Sequence, residues 1–275
     1  MPELAGVETI RKTLKRFILD KTIEDVNVHW PNIVKYPDDI EEFKHLLIGQ
    51  TIRDIKRTGK FIRFELDDYV LLSHLRMEGK YSVHNQIEPM AKHTHIIFKF
   101  TDDEELRYND VRKFGTMHVF RKGEEFKQKP LNQLGPDPFE QEFTLPYFQD
   151  KLSRTSRAIK VALLDQTIVA GLGNIYVDET LFKAGVHPLK KANELTKDEI
   201  KAIRKYATIT LQEAVEQGGT TIRSYVSSDG EMGMFQQELF VYGQANEACK
   251  NCGDIIIKFK VAGRGTHICG TCQKE

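Results

Sequence analysis

The chain has 275 residues, of which 40% are hydrophobic and 29% charged, and its 40 basic residues balance its 40 acidic ones. This composition is that of a folded globular protein and excludes a disordered chain. No apolar run approaches the ~18 residues of a membrane-spanning helix, and the opening MPELAGVETIRK contains no apolar core of a signal peptide. We therefore expect a cytoplasmic protein.

The spacing of apolar residues changes along the first 150 residues. Apolar residues recur every three or four positions from Leu4 to Ile18, which predicts an amphipathic helix. From Ile52 to Phe120 apolar and polar residues alternate in short runs separated by turn residues, which predicts the strands of a β-sandwich. The proline-rich stretch that follows is the best candidate for a linker, and we place it at 134–150.

Helices are predicted after this stretch. Thr196 and Glu199 form a capping box that starts one helix. The sequence GLGN, which begins at Gly171, precedes another helix, predicted from Asn174 to about Ala184 with Asn174 as its cap. A glycine turn that leads into a helix presents free backbone N–H groups, which is a natural site for a phosphate.

The four cysteines of the chain form two Cys-x2-Cys pairs separated by sixteen residues, Cys249 with Cys252 and Cys269 with Cys272. Two such pairs at this distance predict one tetrahedral, structural Zn²⁺ site with four thiolate ligands. His267 lies between the pairs, but four thiolates complete the site, so we interpret it as a non-ligand. A closed site of this kind has no open position for catalysis.

The hairpin between the cysteine pairs carries Lys258, Lys260 and Arg264, and Arg264 stands on a glycine turn. A guanidinium on such a turn can bind a phosphate through two parallel hydrogen bonds. Taken alone, a solvated hairpin explains these charges equally well.

The chain contains, in this order, the segments MPELAGVET, RTGKF, HLRMEGKY, DVRKFGTMHV, LLDQTIVAGLGNIYVDE, GGTTIRSY, QQELFVYG and VAGRGTHIC. With them the sequence resembles the bacterial formamidopyrimidine-DNA glycosylases from residue 2 to residue 274. The resemblance implies a multidomain α+β fold. Its parts are an N-terminal β-sandwich with flanking helices (1–133), the linker, a helix–two-turn–helix domain (151–235) with a lesion-capping loop (218–235), and a zinc ribbon (236–275).

The resemblance also implies a function. Members of this family remove oxidised purines such as 8-oxoguanine and formamidopyrimidines from DNA and then nick the strand by β,δ-elimination. We therefore expect a monomer that binds double-stranded DNA with oxidised bases or abasic sites, works at the bacterial nucleoid, and holds one structural zinc ion.

Four residues match the catalytic positions of the family. Pro2, exposed by removal of the initiator methionine, matches the nucleophile, and a secondary amine that attacks a sugar carbon gives an iminium ion, a good electron sink. Glu3 matches the general acid and base. Lys60 and Arg264 match residues that contact phosphates around the lesion, and Lys60 also assists elimination.

Further matches concern DNA contacts. The positions that resemble backbone-contacting residues are His74, His93, Lys160, Asn174, Tyr242 and Lys258. Met77, Arg112 and Phe114 match the side chains that fill the duplex after the lesion has left it, with Arg112 paired to the orphaned cytosine. Arg223, Ser224 and Tyr225 match the loop that closes over the extruded base.

The chain departs from the family near its nucleophile. Family members begin PELPEVE, whereas this chain has Ala5 and Gly6 in place of the second proline and the second glutamate. Two alternatives stay open. The missing carboxylate favours a catalytically weakened damage-binding variant. Independently of it, the related endonuclease eight class, which removes oxidised pyrimidines, shares the fold and the nucleophile.

Overall fold

The computed structural model describes residues 2–219 and 239–274. These residues form two compact units. The first consists of Pro2 and Gly6–Asn132, and the second of Glu3–Ala5, 133–219 and 239–274. Among the residues described, no helix is long and apolar enough to cross a membrane.

The first unit is the β-sandwich. One sheet contains, in spatial order, β1 (Ile23–Val28), β7 (Thr94–Phe100), β8 (Glu104–Asn109) and β6 (Lys80–Asn85). The other contains β2 (Val34–Tyr36), β9 (Thr116–Arg121), β5 (Tyr69–His74), β4 (Phe61–Glu65) and β3 (Asp54–Thr58). Neighbouring strands are antiparallel, except that β2 runs parallel to β9.

The core of this unit lies between the two sheets and under helix α1 (Leu4–Ile18). α1 directs Val7, Ile10 and Leu14 into this core, so the predicted helix and its buried face are both present. The alternation predicted strands only from residue 52 onward. β1, β2 and helix α2 (Ile40–Leu47), which starts at the capping side chain of Asp39, lie in the segment before it.

The second unit begins with four helices, α3 (Leu145–Ser153), α4 (Ile159–Leu164), α5 (Asn174–Ala184) and α6 (Lys197–Glu216). It ends in a hairpin of β10 (Ile256–Val261) and β11 (Arg264–Cys269). The predicted capping box of α6 is present, with the Thr196 hydroxyl and the Glu199 carboxylate each bonded to the other residue's backbone N–H. The segment 134–150, for which a linker was expected, contributes the buried rings of Phe143 and Phe148 to the core of this unit.

Candidate functional site

The Glu3 carboxylate caps helix α5. Its Oε2 accepts hydrogen bonds from the backbone N–H groups of Gly173 (2.9 Å) and Tyr176 (3.3 Å), and its Oε1 accepts one from Ile175 (2.8 Å). These donors are among those that the first turn of a helix leaves unpaired, and the helix dipole favours a negative charge at this end. The prediction that Asn174 caps this helix is therefore wrong, because Asn174 is its first residue and the cap comes from the start of the chain.

Two glycines make room for this cap. Gly171 has φ +99°, a conformation that side chains rarely adopt, and its carbonyl accepts from the N–H of Leu4 (3.2 Å). A Cβ at Gly173 would overlap the Glu3 carboxyl group. The GLGN turn thus approaches residues 3 and 4 at backbone contact. The phosphate site that the free N–H groups suggested is occupied by the protein's own carboxylate.

Pro2 directly precedes Glu3, the capping residue, and is half-buried. It precedes the first turn of α1, where the helix dipole disfavours a positive charge on its amine. A secondary amine can form an iminium ion with a sugar carbon, so the amine of Pro2, once the initiator methionine is removed, is a candidate nucleophile. Within the first unit, a Cβ placed on Gly6 would meet only the Cβ of Pro2, at 3.4 Å. Among the residues described, a Cβ at position 6 would therefore lie beside Pro2 without a clash.

Lys160 and Asp178, which is in the first half of α5, form a fully buried ion pair. The Lys160 ammonium is 2.6 Å from the Asp178 carboxylate, and it also donates to the Gly265 carbonyl at 3.0 Å. The Asn174 amide donates to the same carbonyl at 2.9 Å. Burial lowers the pKa of Lys160, and the Asp178 charge opposes that shift. The ammonium is shielded from solvent, so direct contact between Lys160 and DNA does not fit this geometry. Its position fixes the turn that bears Arg264.

Two consecutive acids of α5 hold the ribbon and the segment before it. Asp178 also accepts from the backbone N–H of His267 (2.9 Å), and the His267 ring packs edge-on against Tyr242 with centroids 4.9 Å apart. Glu179 accepts from the three backbone N–H groups of residues 240–242, each at 2.9 Å. Neither acid was predicted from the sequence to have a role. Their charges inside an otherwise apolar helix face were the signal that could have identified them as anchors.

Arg264 and Lys258 are exposed on the hairpin, while Asn174 and Tyr242 are half-buried. All four belong to the second unit. The contacts around Gly265 and Asp178 therefore hold Arg264, Asn174 and Tyr242 near one end of α5, and Lys258 lies on β10 opposite His267.

The four cysteines form a metal site. Each pair of their Sγ atoms lies within 4.8 Å, and no disulfide joins them. A Zn²⁺ ion with Zn–S bonds near ~2.3 Å requires tetrahedral sulfur atoms about 3.8 Å apart. The distances Cys249–Cys272 (3.9 Å) and Cys252–Cys269 (3.5 Å) fit that requirement. His267 lies against Asp178 and Tyr242 and is outside this cluster, as expected.

In the first unit Lys60 and His74 are both buried, Lys60 on the turn between β3 and β4 and His74 at the end of β5. The His74 ring lies edge-on against Phe61, and its Nδ1 accepts from the backbone N–H of Arg76 at 2.9 Å. Burial, together with the charges of Arg76 and Lys60, lowers the pKa of His74 to about 3. The ring is therefore neutral at working pH, with its proton on Nε2, free to donate.

The three side chains expected to fill a duplex lie on two loops of this unit. Met77, Arg112 and Phe114 are exposed, which is unusual for a methionine and a phenylalanine and rules out a core position for them. The Arg112 guanidinium lies over the Phe114 ring, 4.8 Å from its centroid. His93 is half-buried with φ +68°, and Arg223, Ser224 and Tyr225 lie outside the described residues.

Family models match most of the chain. Residues 1–117 match the formamidopyrimidine-DNA glycosylase N-terminal domain, and residues 134–226 match the H2TH domain of the same glycosylases. Residues 246–274 match the zinc finger found in FPG and IleRS.

Proteins of known name are similar to this chain over its whole length. The chain is 64% identical to the formamidopyrimidine-DNA glycosylase of Oceanobacillus iheyensis over 99% of the chain and 98% of that protein. It is 57% identical to that of Bacillus subtilis over the full length of both. A solved structure of Lactococcus lactis Fpg in complex with abasic-site DNA superimposes with a TM-score of 0.92 at 42% identity, covering both chains completely. The chain belongs to the formamidopyrimidine-DNA glycosylase family.

Proposed function

We propose that this protein is a bifunctional base-excision repair enzyme. It removes oxidised purines from double-stranded DNA through Pro2 and then cleaves the strand by β,δ-elimination. The observation that carries this proposal is the anchoring of Glu3 on helix α5, because it fixes the residue next to the N-terminal amine with three backbone hydrogen bonds. An ordinary N-terminus is loose, whereas a nucleophile must be held in position.

The Pro2–Glu3 pair can carry out the first step without another base. The neutral amine attacks C1′ of the damaged nucleoside and the bond to the base breaks. The base leaves with the bonding electron pair and takes a proton from water, while the nitrogen is left with a surplus proton. The Glu3 carboxylate accepts that proton and passes it to the ring oxygen of the sugar. Ring opening then gives an iminium ion, whose positive charge draws electrons during both eliminations.

The remaining predicted residues bind the DNA backbone. Lys60 supplies a positive charge to a phosphate and assists elimination, while neutral His74 donates one hydrogen bond from Nε2. In the second unit Arg264 clasps a phosphate with its guanidinium, supported by Lys258, Asn174 and Tyr242. His93 contacts the backbone from the first unit. Lys160 acts indirectly, by holding the Arg264 turn.

The exposed loops occupy the gap in the duplex. Phe114 wedges the base stack and Met77 fills the space of the extruded nucleotide, as apolar side chains do in kinked DNA. Arg112, stacked on Phe114, pairs with the orphaned cytosine. Arg223, Ser224 and Tyr225 close over the extruded base. The enzyme does this at the nucleoid, where bacterial DNA lies.

A single-turnover excision assay tests the proposal. Matched duplexes carry 8-oxoguanine opposite cytosine, an oxidised pyrimidine opposite its partner, or a preformed abasic site. We expect excision of 8-oxoguanine and nicking of the abasic site, with much slower release of the pyrimidine. Faster release of the pyrimidine would assign the protein to the endonuclease eight type. Tight binding to 8-oxoguanine without excision or nicking would make it a damage-binding protein.

A further inference from the structure

Two loops of the β-sandwich meet at one buried tyrosine. The loop 75–79 carries Met77, and the loop 110–115 carries Arg112 and Phe114. Tyr108, on β8, is fully buried. Its hydroxyl lies 3.4 Å from the carboxylate of Asp110, which is also buried.

Asp110 holds the backbone of its loop. Its Oδ2 accepts from the N–H groups of Phe114 and Gly115, both at 2.8 Å, and its Oδ1 accepts from the N–H of Arg112 at 3.0 Å. Its own carbonyl accepts from the His95 ring at 2.8 Å. The carboxylate therefore sits at the centre of the turn and fixes both residues that face the duplex. The loop also contains Lys113 at φ +58°, a conformation that needs such support.

The Tyr108 hydroxyl sets the spacing between the two loops. A Cβ on Gly115 would overlap this hydroxyl, and a Cβ on Gly79 would overlap it too. Neither glycine has a positive φ, so their small size serves close approach to Tyr108 and not an unusual backbone conformation. Burial raises the pKa of Tyr108, so the hydroxyl stays protonated and can donate to Asp110. One phenol thus touches the backbone of both loops.

We propose that Tyr108 and Asp110 are positioning residues that hold Met77 and the Arg112–Phe114 pair at a fixed spacing, and that this spacing sets the enzyme's discrimination among bases opposite the lesion. The inference rests on the proposed role of these loops in filling the duplex. Arg112 can distinguish cytosine from another base only if its guanidinium is placed at hydrogen-bonding distance and angle. A loop that is free to shift would still insert its side chains into the duplex, but it would discriminate less between cytosine and other bases opposite the lesion.

Two isosteric substitutions test this. Tyr108→Phe removes only the hydroxyl, and Asp110→Asn replaces one acceptor oxygen by a donor that faces backbone N–H groups. The matched controls are Tyr81→Phe, which loses a buried hydroxyl bonded to Ser73 at 2.7 Å, and Asp137→Asn, a buried turn aspartate of the second unit. Tyr81 packs edge-on against Tyr108, so this control samples the same region and leaves the Tyr108 hydroxyl and the Asp110 carboxylate in place.

Single-turnover excision of 8-oxoguanine is measured opposite cytosine and opposite adenine. We expect Y108F and D110N to reduce the cytosine-to-adenine rate ratio about tenfold, less than the ~100-fold cost of misplacing a group by 1 Å. The controls should keep the wild-type ratio, and nicking of a preformed abasic site should stay within about twofold of wild type in all four variants. A wild-type ratio in both Y108F and D110N overturns the inference.

A second readout does not depend on excision. Each protein is bound to a duplex that contains a tetrahydrofuran abasic analogue opposite 2-aminopurine, whose fluorescence reports how the opposite base is stacked. We expect Y108F and D110N to change the fluorescence of the complex while the controls reproduce wild type. If wild-type protein excises nothing, the proposed function fails, yet the fluorescence comparison still decides the positioning role. Fluorescence equal to wild type in both loop variants contradicts it.

Discussion

Replacing Glu3 by Gln should damage stability and chemistry together. The NH2 group of the new side chain cannot accept a hydrogen bond, so at least one of the N–H groups of Gly173, Ile175 and Tyr176 loses its acceptor. An unpaired buried donor costs about 1–3 kcal/mol, and the lost negative charge at the helix N-terminus costs up to about 2 kcal/mol more. We expect the free energy of unfolding to fall by about 2–4 kcal/mol. Excision should fall by about 10²–10⁴-fold, since the proton acceptor is gone.

The matched control is Glu179→Gln. Glu179 is also a buried carboxylate that accepts from three backbone N–H groups, but it anchors residues 240–242. Thermal unfolding and single-turnover excision are measured for both variants at saturating enzyme. We expect both variants to be destabilised, whereas excision falls at least about tenfold further in Glu3→Gln. An unchanged stability of Glu3→Gln would refute the capping role, and equal excision rates in the two variants would refute the catalytic one.

Three further predictions concern separate parts of the molecule. Gly6→Glu should raise single-turnover excision at least about tenfold, because a carboxylate beside Pro2 can act in acid–base catalysis. The free energy of unfolding should rise by about 1 kcal/mol or less, because glycine is unfavourable inside a helix and a Cβ at position 6 meets only the Cβ of Pro2 among the residues described. Unchanged excision would make the missing carboxylate dispensable. The folded pKa of His74, about 3, lies below its ordinary 6.5, so stability present above pH 6.5 is lost as the pH falls toward 3. In acid titrations of unfolding, His74→Gln should avoid about 5 kcal/mol of that loss, since each pH unit between 6.5 and 3 is worth about 1.4 kcal/mol. Identical loss of stability in acid for the variant and the wild type would mean that the ring titrates normally. Cys249→Ser should lower zinc from one ion per chain and unfold the ribbon while the β-sandwich keeps its unfolding transition; full zinc occupancy by metal analysis would argue against a four-thiolate site.

Local patterns predicted the elements that depend on local chemistry. The spacing from Leu4 to Ile18 determines helix α1, because its apolar face has to be buried. The capping box at Thr196 starts α6, and the cysteine spacing alone indicated the metal site. The family resemblance added the candidate catalytic residues, which composition and periodicity do not reveal.

Contacts between distant residues were beyond such reasoning. Glu3 reads as an ordinary first-turn residue, and only the fold brings it to residues 173–176. Lys160 has the sequence signature of a surface lysine, yet its ion pair with Asp178 is completely buried. The position of Tyr108 between two loops becomes visible only in the fold, where its hydroxyl lies against Gly79 and Gly115. In each case the partner lies in another element, and one sequence does not specify that pairing.

The most direct test of the account is to identify the atom that attacks the sugar. Borohydride reduces the iminium intermediate, so the protein should become covalently joined to DNA containing 8-oxoguanine, and peptide mass spectrometry should locate the DNA adduct on Pro2. A version in which an N-terminal tag blocks the Pro2 amine should give no adduct, while Lys60→Ala should still be trapped. An adduct on Lys60, or full trapping of the tagged protein, would contradict the central claim that the N-terminal proline is the nucleophile.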